Sequence, residues 1–190
     1  MLHLRSILGR ETEMFRFGVF VLLVLGCMAC EKDVYDAPGE QPVFFEYHFS
    51  NYAWGYQDYG WLVDGDGKIR SYEHPEGYHL ATHGDYLSLE QLEYNLGQAD
   101  SVIGEVSRAV LDKKKNLIPA AAEGEIEDFQ RQGADMGLGI FACYKYDPVE
   151  DAYQYVMLST TGDHQRANKA KEAEELVKWL KDLVDGSTYY

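Results

Sequence analysis

Residues 139–146 (GIFACYKY) and 153–159 (YQYVMLS) flank the short stretch 147–150 (DPVE). Both flanking segments are dominated by apolar and aromatic side chains, a composition that favours buried β-strands. Aspartate and proline between two such segments are typical of a tight connection. We therefore predict an antiparallel hairpin here, and its apolar character places it near the centre of a sheet.

A second group of strands is predicted in the first half of the chain. Residues 43–50 have a strand-like pattern, and segments 59–64 and 68–72 flank the sequence DGDG at positions 64–67. Asp-Gly pairs between β-type flanks are strong signals for a hairpin turn. Residues 74–86, which contain proline and two glycines, are predicted to form a loop.

The rest of the chain carries helix signals. Ser88 and Gln91 have the spacing of a capping box, and leucines follow at helical intervals. Asp163 is predicted to cap the last helix of the chain. The remaining predicted helices span residues 101–114, 125–132 and 164–184.

This order of strands, helices, strands and helix predicts an α+β fold. The sheet would be antiparallel and built from two strand groups, with the helices packed mainly on one face. Residues 43–190 would form a single globular domain that is large enough to bury a proper core. No glycine-rich loop follows a predicted strand, so the sequence carries no nucleotide-binding fingerprint.

The composition is strongly acidic, with a formal net charge of −15 at pH 7. Nucleic acids and anionic membrane surfaces carry the same sign of charge, which argues against both as ligands. Cys143 lies in a strand-like run and is predicted to be a small buried hydrophobe, although pairing with Cys30 remains open. The three cysteines lack the spacing of a metal site.

The N-terminal region has the pattern of an export signal. Arg16 supplies a positive charge, and the apolar run 17–26 follows it. A membrane-spanning helix needs about 20 apolar residues, so a run of this length fits a signal peptide better. Because Glu11 and Glu13 do not help export, we predict that translation starts at Met14.

The residues around Cys27 are similar to the lipobox of bacterial lipoproteins. Residues 24–26 (VLG) place an aliphatic residue three positions before Cys27 and a small residue one position before it. Cys30 is the alternative lipidation site, and the sequence 31–33 (EKD) behind it resembles the surface-export signal of some Gram-negative lipoproteins. A cleaved signal peptide without lipid is a further alternative.

The resemblance to Gram-negative surface lipoproteins implies export and a lipid anchor in the bacterial cell envelope, with the outer membrane as the expected location. Residues 1–26 would then be an N-terminal extension and signal peptide. Residues 27–42 would carry the lipid on Cys27 or Cys30. They would also form a flexible tether, since Pro38, Gly39 and Pro42 disfavour regular secondary structure in this segment.

A dense run of aromatic residues is the best lead to a function. Exposed aromatic rings stack on sugar faces, hold peptide segments and are enriched in protein interfaces. The preferred interpretation is nevertheless that one face of the run is core and the other packs under a loop, with contact to a ligand or partner as the alternative. The residues predicted to contact a ligand are Tyr52, Trp54, Tyr56, Tyr59 and Trp61.

A metal site in the histidine-containing loop is a weaker alternative. His74, His79 and His83 lie close together in sequence, with Glu73 and Asp85 beside them. Imidazole and carboxylate groups together suit zinc. The same residues as a polar loop, bonded to backbone or water, are the preferred interpretation.

The segment 64–67 also resembles the middle of an EF-hand calcium loop. Leu62 stands where that loop needs its first oxygen ligand, and the flanks are strand-like. A plain hairpin turn is therefore the preferred interpretation, and the sequence implies no resident metal or cofactor.

The sequence lacks a diagnostic catalytic motif and favours a non-enzymatic role. We expect a binding or accessory module that contacts a glycan, a peptide or an envelope protein through its aromatic region. A metal-dependent enzyme that uses the histidine loop is one alternative. A small inhibitor or assembly factor is another.

Overall fold

The computed structural model describes Tyr35 and residues 41–185 of the 190-residue chain. The predicted signal peptide at 1–26 and both candidate lipidation sites, Cys27 and Cys30, lie outside the described residues. The chain from Tyr35 on belongs to one compact unit. No helix in the described part is long and apolar enough to cross a membrane.

Strands and short helices alternate along the described chain. The strands are β1 (Val43–Asn51), β2 (Gln57–Asp64), β3 (Lys68–Glu73), β4 (Tyr86–Leu87), β5 (Ser101–Glu105), β6 (Gln130–Arg131), β7 (Leu138–Asp147), β8 (Ala152–Gly162) and β9 (His164–Ala167). The helices are α1 (Leu89–Gln98), α2 (Arg108–Lys115), α3 (Ile118–Ala122) and α4 (Lys171–Asp185).

These nine strands form one antiparallel sheet in the order β5-β3-β2-β1-β7-β8-β9-β6, with β4 paired to β8. The two predicted strand groups meet at its centre, where β1 runs beside β7. Phe45 of β1 stands opposite Cys143 of β7 in that pairing. The central position expected for the second hairpin is therefore confirmed.

The helices cover the two faces of the sheet unequally. Helices α2, α3 and α4 pack on one face, where Leu111 and Leu176 share a core with Phe45. Helix α1 packs on the other face, where Leu92 shares a second core with Tyr144. The fold is α+β with helices mainly on one face, as the sequence predicts.

The β2–β3 turn is a hairpin turn stabilised by one aspartate. Asp64 Oδ1 accepts the N–H groups of Asp66 at 3.0 Å and Lys68 at 2.8 Å. Its Oδ2 accepts from Arg70 Nε at 2.7 Å. Because both oxygens of Asp64 already serve the turn and its flank, the calcium-loop alternative has no support here. The capping box of Ser88 and Gln91 is also confirmed.

The predicted helix at residues 101–114 is wrong in its first half. Residues 101–105 are strand β5, which pairs with β3 at the edge of the sheet, and α2 begins only at Arg108. Val102 and Ile103 are β-branched and favour a strand. The open edge of β3 supplies the backbone partners that decide between the two structures.

The predicted helix at residues 125–132 is also wrong, because this segment holds β6, which pairs with β9. Strand β9 in turn occupies the start of the predicted helix at 164–184, so α4 begins at Lys171. Asp163 therefore does not cap this helix. Its Oδ1 accepts the N–H of Met136 at 2.8 Å instead.

The end of the predicted tether at 27–42 is packed against the sheet. Gln41 is 1% exposed, and its Nε2 donates to the carbonyls of Val43 at 2.7 Å and Tyr144 at 3.0 Å. The Tyr35 hydroxyl donates to Gln41 Oε1 at 2.9 Å. Packing against the sheet thus includes residues that precede β1.

Cys143 is a free thiol in the core under the helix-bearing face. Its burial confirms the predicted role as a small hydrophobe and raises the pKa of its thiol. The cysteine with which it was considered to pair, Cys30, lies outside the described residues.

Candidate functional site

Exposed aromatic side chains gather at one end of the sheet, on and beside the loop that joins β1 to β2. Trp54 is 80% exposed and Tyr52 is 73% exposed. The ring of Tyr56 lies 5.3 Å from that of Tyr52 and 5.2 Å from that of His74. We call Tyr52, Trp54, Tyr56, Tyr59 and His74 the aromatic surface.

The loop that carries this surface has a defined conformation. Asn51 Oδ1 accepts the N–H of Ala53 at 2.9 Å, which turns the chain as β1 ends. Gly55 has a φ of +111°, a conformation that side-chain-bearing residues rarely adopt. At the other end, His74 Nε2 bonds the carbonyl of Tyr56 at 3.1 Å. Tyr52, Trp54 and Tyr56 are therefore presented by a loop and not by a continuing strand, whereas Tyr59 lies in β2.

Trp61 does not belong to this surface. It is 5% exposed and packs against Tyr47 and Phe141 under the helix-bearing face. The period of two along β2 places Tyr59 and Trp61 on the same face, but the core ends between them. Tyr59 packs on Phe49 and remains partly exposed. The prediction of Trp61 as a contact residue is thus corrected.

A buried polar network, which sequence reasoning missed, lies on the other face of β1. The Glu46 carboxylate is 2% exposed and accepts hydrogen bonds from three tyrosine hydroxyls. Tyr78 donates at 2.7 Å, Tyr72 at 3.3 Å, and Tyr144 completes the set. A buried carboxylate that is fully bonded in this way is tolerated, whereas an unpaired one is not.

The network continues from Glu46 to the aromatic surface. The Tyr72 hydroxyl lies 3.0 Å from His48 Nδ1, and His48 Nε2 lies 3.5 Å from Asp58 Oδ1. Asp58 Oδ2 accepts the hydroxyl proton of Tyr56 at 2.6 Å. One chain of polar contacts thus connects a buried carboxylate with an exposed ring.

A glycine makes this chain of contacts possible. Gly60 stands between His48 of β1 and Tyr72 of β3 in the strand register. A Cβ at this position would lie 2.5 Å from the Tyr72 hydroxyl and would collide with the carbonyl oxygen of Tyr47. Because Gly60 has no side chain, the phenol of Tyr72 can cross β2 and reach His48.

The electrostatics of the site keep its phenols protonated. Burial raises the pKa values of Tyr72, Tyr78 and Tyr144 well above the usual value, and the nearby Glu46 carboxylate raises them further. Its hydrogen bond to Asp58 raises the pKa of Tyr56 to about 12. These hydroxyls are donors at neutral pH, so the network orders the site.

The sequence does contain a signal for this network. Glu46 and His48 alternate with Phe45 and Tyr47 along β1, and alternation alone assigns such polar residues to solvent. Tyr144, on the central hairpin, projects onto the same face as Glu46. A polar residue on a central strand that faces tyrosines is a candidate for a buried hydrogen-bonded pair.

The histidines of the 74–86 loop are not brought together. His79 packs edge-on against Tyr94, and His83 Nδ1 accepts the N–H of Met157 at 3.3 Å. His74 belongs to the aromatic surface, while Asp85 accepts from Thr82 at 2.6 Å. Among the described residues, no group of three or more histidines, cysteines or carboxylates could hold a metal ion.

Partial burial lowers the pKa of His83, and the positive charge of Arg166 lowers it further. Hydrogen bonds from Thr82 lower the pKa of Asp85. Each shift has a local cause, and the two groups act on different partners. The predicted zinc ligands His74, His79, His83 and Asp85 are therefore separate parts of a polar loop.

Comparison with known protein families, with curated proteins and with solved structures finds no significant match to this chain.

Proposed function

We propose that this protein is a lipid-anchored binding module of the bacterial cell envelope, in which the aromatic surface captures a ligand. The observation that carries the proposal is the exposure of Trp54 and Tyr52 on a loop of defined conformation. Large aromatic side chains that are left in water beside one another are typical of contact sites.

The shape of the surface favours a ligand that lies across it. Tyr52, Tyr56 and His74 form a row of rings, and Trp54 projects from the loop between the first two. A glycan chain, a peptide segment or a loop of an envelope protein can each contact several rings at once. The hydrogen bond between Tyr56 and Asp58 holds one ring in place before binding, which reduces the entropy lost on association.

The N-terminal sequence supports the envelope location. Its apolar run and its similarity to a lipobox at Cys27 are features of exported lipoproteins. The acidic composition fits a protein that does not bind nucleic acid. A lipid anchor at the N-terminus and a contact surface on the folded domain are together suited to a protein that retains a glycan, a peptide or a protein partner near a membrane.

Substitution of Trp54 by alanine is expected to weaken ligand capture by about 30-fold, since a central aromatic contact contributes about 2 kcal/mol. Binding of the full-length protein to isolated cell-wall glycan, soluble envelope polysaccharides and an immobilised peptide array measures this. Tyr52→Ala should act in the same direction.

Tyr86→Ala is the matched control. Tyr86 is a partly exposed tyrosine on β4, and it pairs with Gln154 near the start of β8, whereas the aromatic surface lies near the other end of that strand. Equal binding by the Trp54 and Tyr86 variants would remove the aromatic surface from consideration. Both variants should unfold at the midpoint of the unmodified protein, because neither side chain belongs to the buried core.

Lipid attachment is tested separately. Mass spectrometry of the N-terminal peptide from membranes of a Gram-negative host should show an acylated Cys27 as the first residue of the mature chain. Cys27→Ser should release the protein from the membrane fraction, and Cys30→Ser should leave it there. Acylation at Cys30, or an unmodified cleaved terminus, would replace this assignment by one of the two alternatives.

A further inference from the structure

A groove lies on the helix-bearing face of the sheet. It has a volume of about 690 Å³ and lies between α4 and the adjacent strands β8 and β9. Leu158, Ala170 and Val177 supply apolar parts of its wall. The residues of the aromatic surface do not line it, so the two features are distinct.

One wall of the groove contains a hydroxyl without a partner. The Oγ of Ser159 is buried and has no hydrogen-bond partner within the described part of the chain. Buried polar atoms are nearly always bonded, so an unbonded one can become the partner of a ligand atom once the side chains that cover it move aside. Ser159 stands opposite Phe141 in the β7–β8 register, which fixes its position in the sheet.

Two lysines of α4 line the same groove. Lys178 and Lys181 have no carboxylate oxygen within 4.0 Å among the described residues. The Nζ of Lys181 lies 5.8 Å from the ring centre of Phe141. Phe141 also stands opposite Ser159 in the β7–β8 register. The ammonium group of Lys181 and the hydroxyl of Ser159 are therefore both placed beside Phe141.

The other charged groups of the groove set its polarity. Lys169 is neutralised by Glu125 at 3.0 Å. Glu174 lies seven residues before Lys181 on α4, which separates the two along the helix axis by about 10 Å. Glu127 bonds through its backbone to Ala167, on the side of β9 away from β8. Arg166 of β9 adds a further positive charge to the lining, and Glu174 lies four residues from Lys178 on the same face of α4.

We propose that this groove binds a small organic anion. Its oxyanion would accept hydrogen bonds from Ser159 Oγ and from the ammonium groups of Lys181 and Lys178. Its apolar body would lie on Leu158 and Val177. Charge-assisted hydrogen bonds of this kind are strong. They have to offset the repulsion that the net charge of −15 exerts on an anion.

Isothermal titration of the full-length protein with hexanoate and hexyl phosphate tests this proposal. Hexanol and hexylammonium serve as neutral and cationic probes of the same length. Saturable binding of either anion, with no binding of hexanol or hexylammonium, is expected. Preference for hexyl phosphate would assign a phosphate ester as the ligand class, and preference for hexanoate a carboxylate.

Lys181→Gln is expected to raise the dissociation constant of the preferred anion about tenfold, since it removes one charge-assisted bond. Ser159→Ala should weaken binding several-fold without loss of the fold. The matched control is Lys113→Gln, which removes one charge from an exposed position on α2. Equal affinities of the Lys181 and Lys113 variants, equal binding of hexanol, or absence of binding by both anions would overturn the proposal.

Discussion

Gly60→Ala is expected to lower the free energy of unfolding by about 3 kcal/mol or more. The added Cβ would collide with the carbonyl oxygen of Tyr47 and would lie 2.5 Å from the hydroxyl of Tyr72. To avoid these clashes, either the backbone of β2 shifts within the sheet or the contact between Tyr72 and His48 is lost. Either response removes a feature that connects Glu46 to the exposed loop.

Urea denaturation followed by circular dichroism measures this loss, with Gly97→Ala as the control. Gly97 lies in α1, and a Cβ there meets no atom within 4 Å. Alanine at that helical position should raise stability by up to about 1 kcal/mol. If both variants unfold at the midpoint of the unmodified protein, the close approach at Gly60 has no energetic importance.

Glu46→Ala is the second substitution with a large expected effect. It leaves the hydroxyls of Tyr72, Tyr78 and Tyr144 without their common acceptor in a buried site. The Tyr72 hydroxyl keeps its contact with His48 Nδ1, so two hydroxyls, those of Tyr78 and Tyr144, lose their acceptor. Each unsatisfied buried group costs about 1–3 kcal/mol, so the free energy of unfolding should fall by about 2 kcal/mol or more. Melting curves and urea midpoints provide the measurement.

Glu105→Gln is the control, because Glu105 is exposed on the edge strand β5 and its change should stay within about 0.5 kcal/mol. Tyr144→Phe added to Glu46→Ala should cost less than the sum of the two single changes, since it removes one of the stranded hydroxyls. Strict additivity would show that the carboxylate and this phenol do not interact.

Local signals were sufficient for the two hairpins and for α1. The DGDG turn and the Ser88–Gln91 capping box are decided by residues within a few positions of each other, so the sequence alone identifies them. The two strand groups and the α+β class follow from those elements. Residue type and spacing are therefore enough to predict these elements and the fold class.

Long-range pairing decided the segments where prediction failed. Residues 101–105 resemble a helix start, but β3 offers them an open edge. Residues 164–167 precede a true helix, but they pair with β8 and β6 before it begins. The identity of the neighbouring strand cannot be read from either segment by itself.

The candidate site was predicted in its exposed half. Tyr52, Trp54, Tyr56 and Tyr59 are exposed, while Trp61 is in the core because β2 enters the helix-covered region there. The buried half, from Glu46 to Asp58, depends on which side chains face one another across three strands. That information appears only once the register is known.

The central pairing of β1 with β7 also has a consequence for the order of folding. Residues 45 and 143 meet there, nearly one hundred positions apart in the chain. Closing so long a loop has an entropic cost that precedes any gain from the contacts, and chains dominated by such contacts fold slowly. The first three strands can form a meander early, yet their central edge stays open until the second hairpin has left the ribosome. During that interval the exposed edge of β1 is the place where a chaperone would bind and where association between unfinished chains would begin.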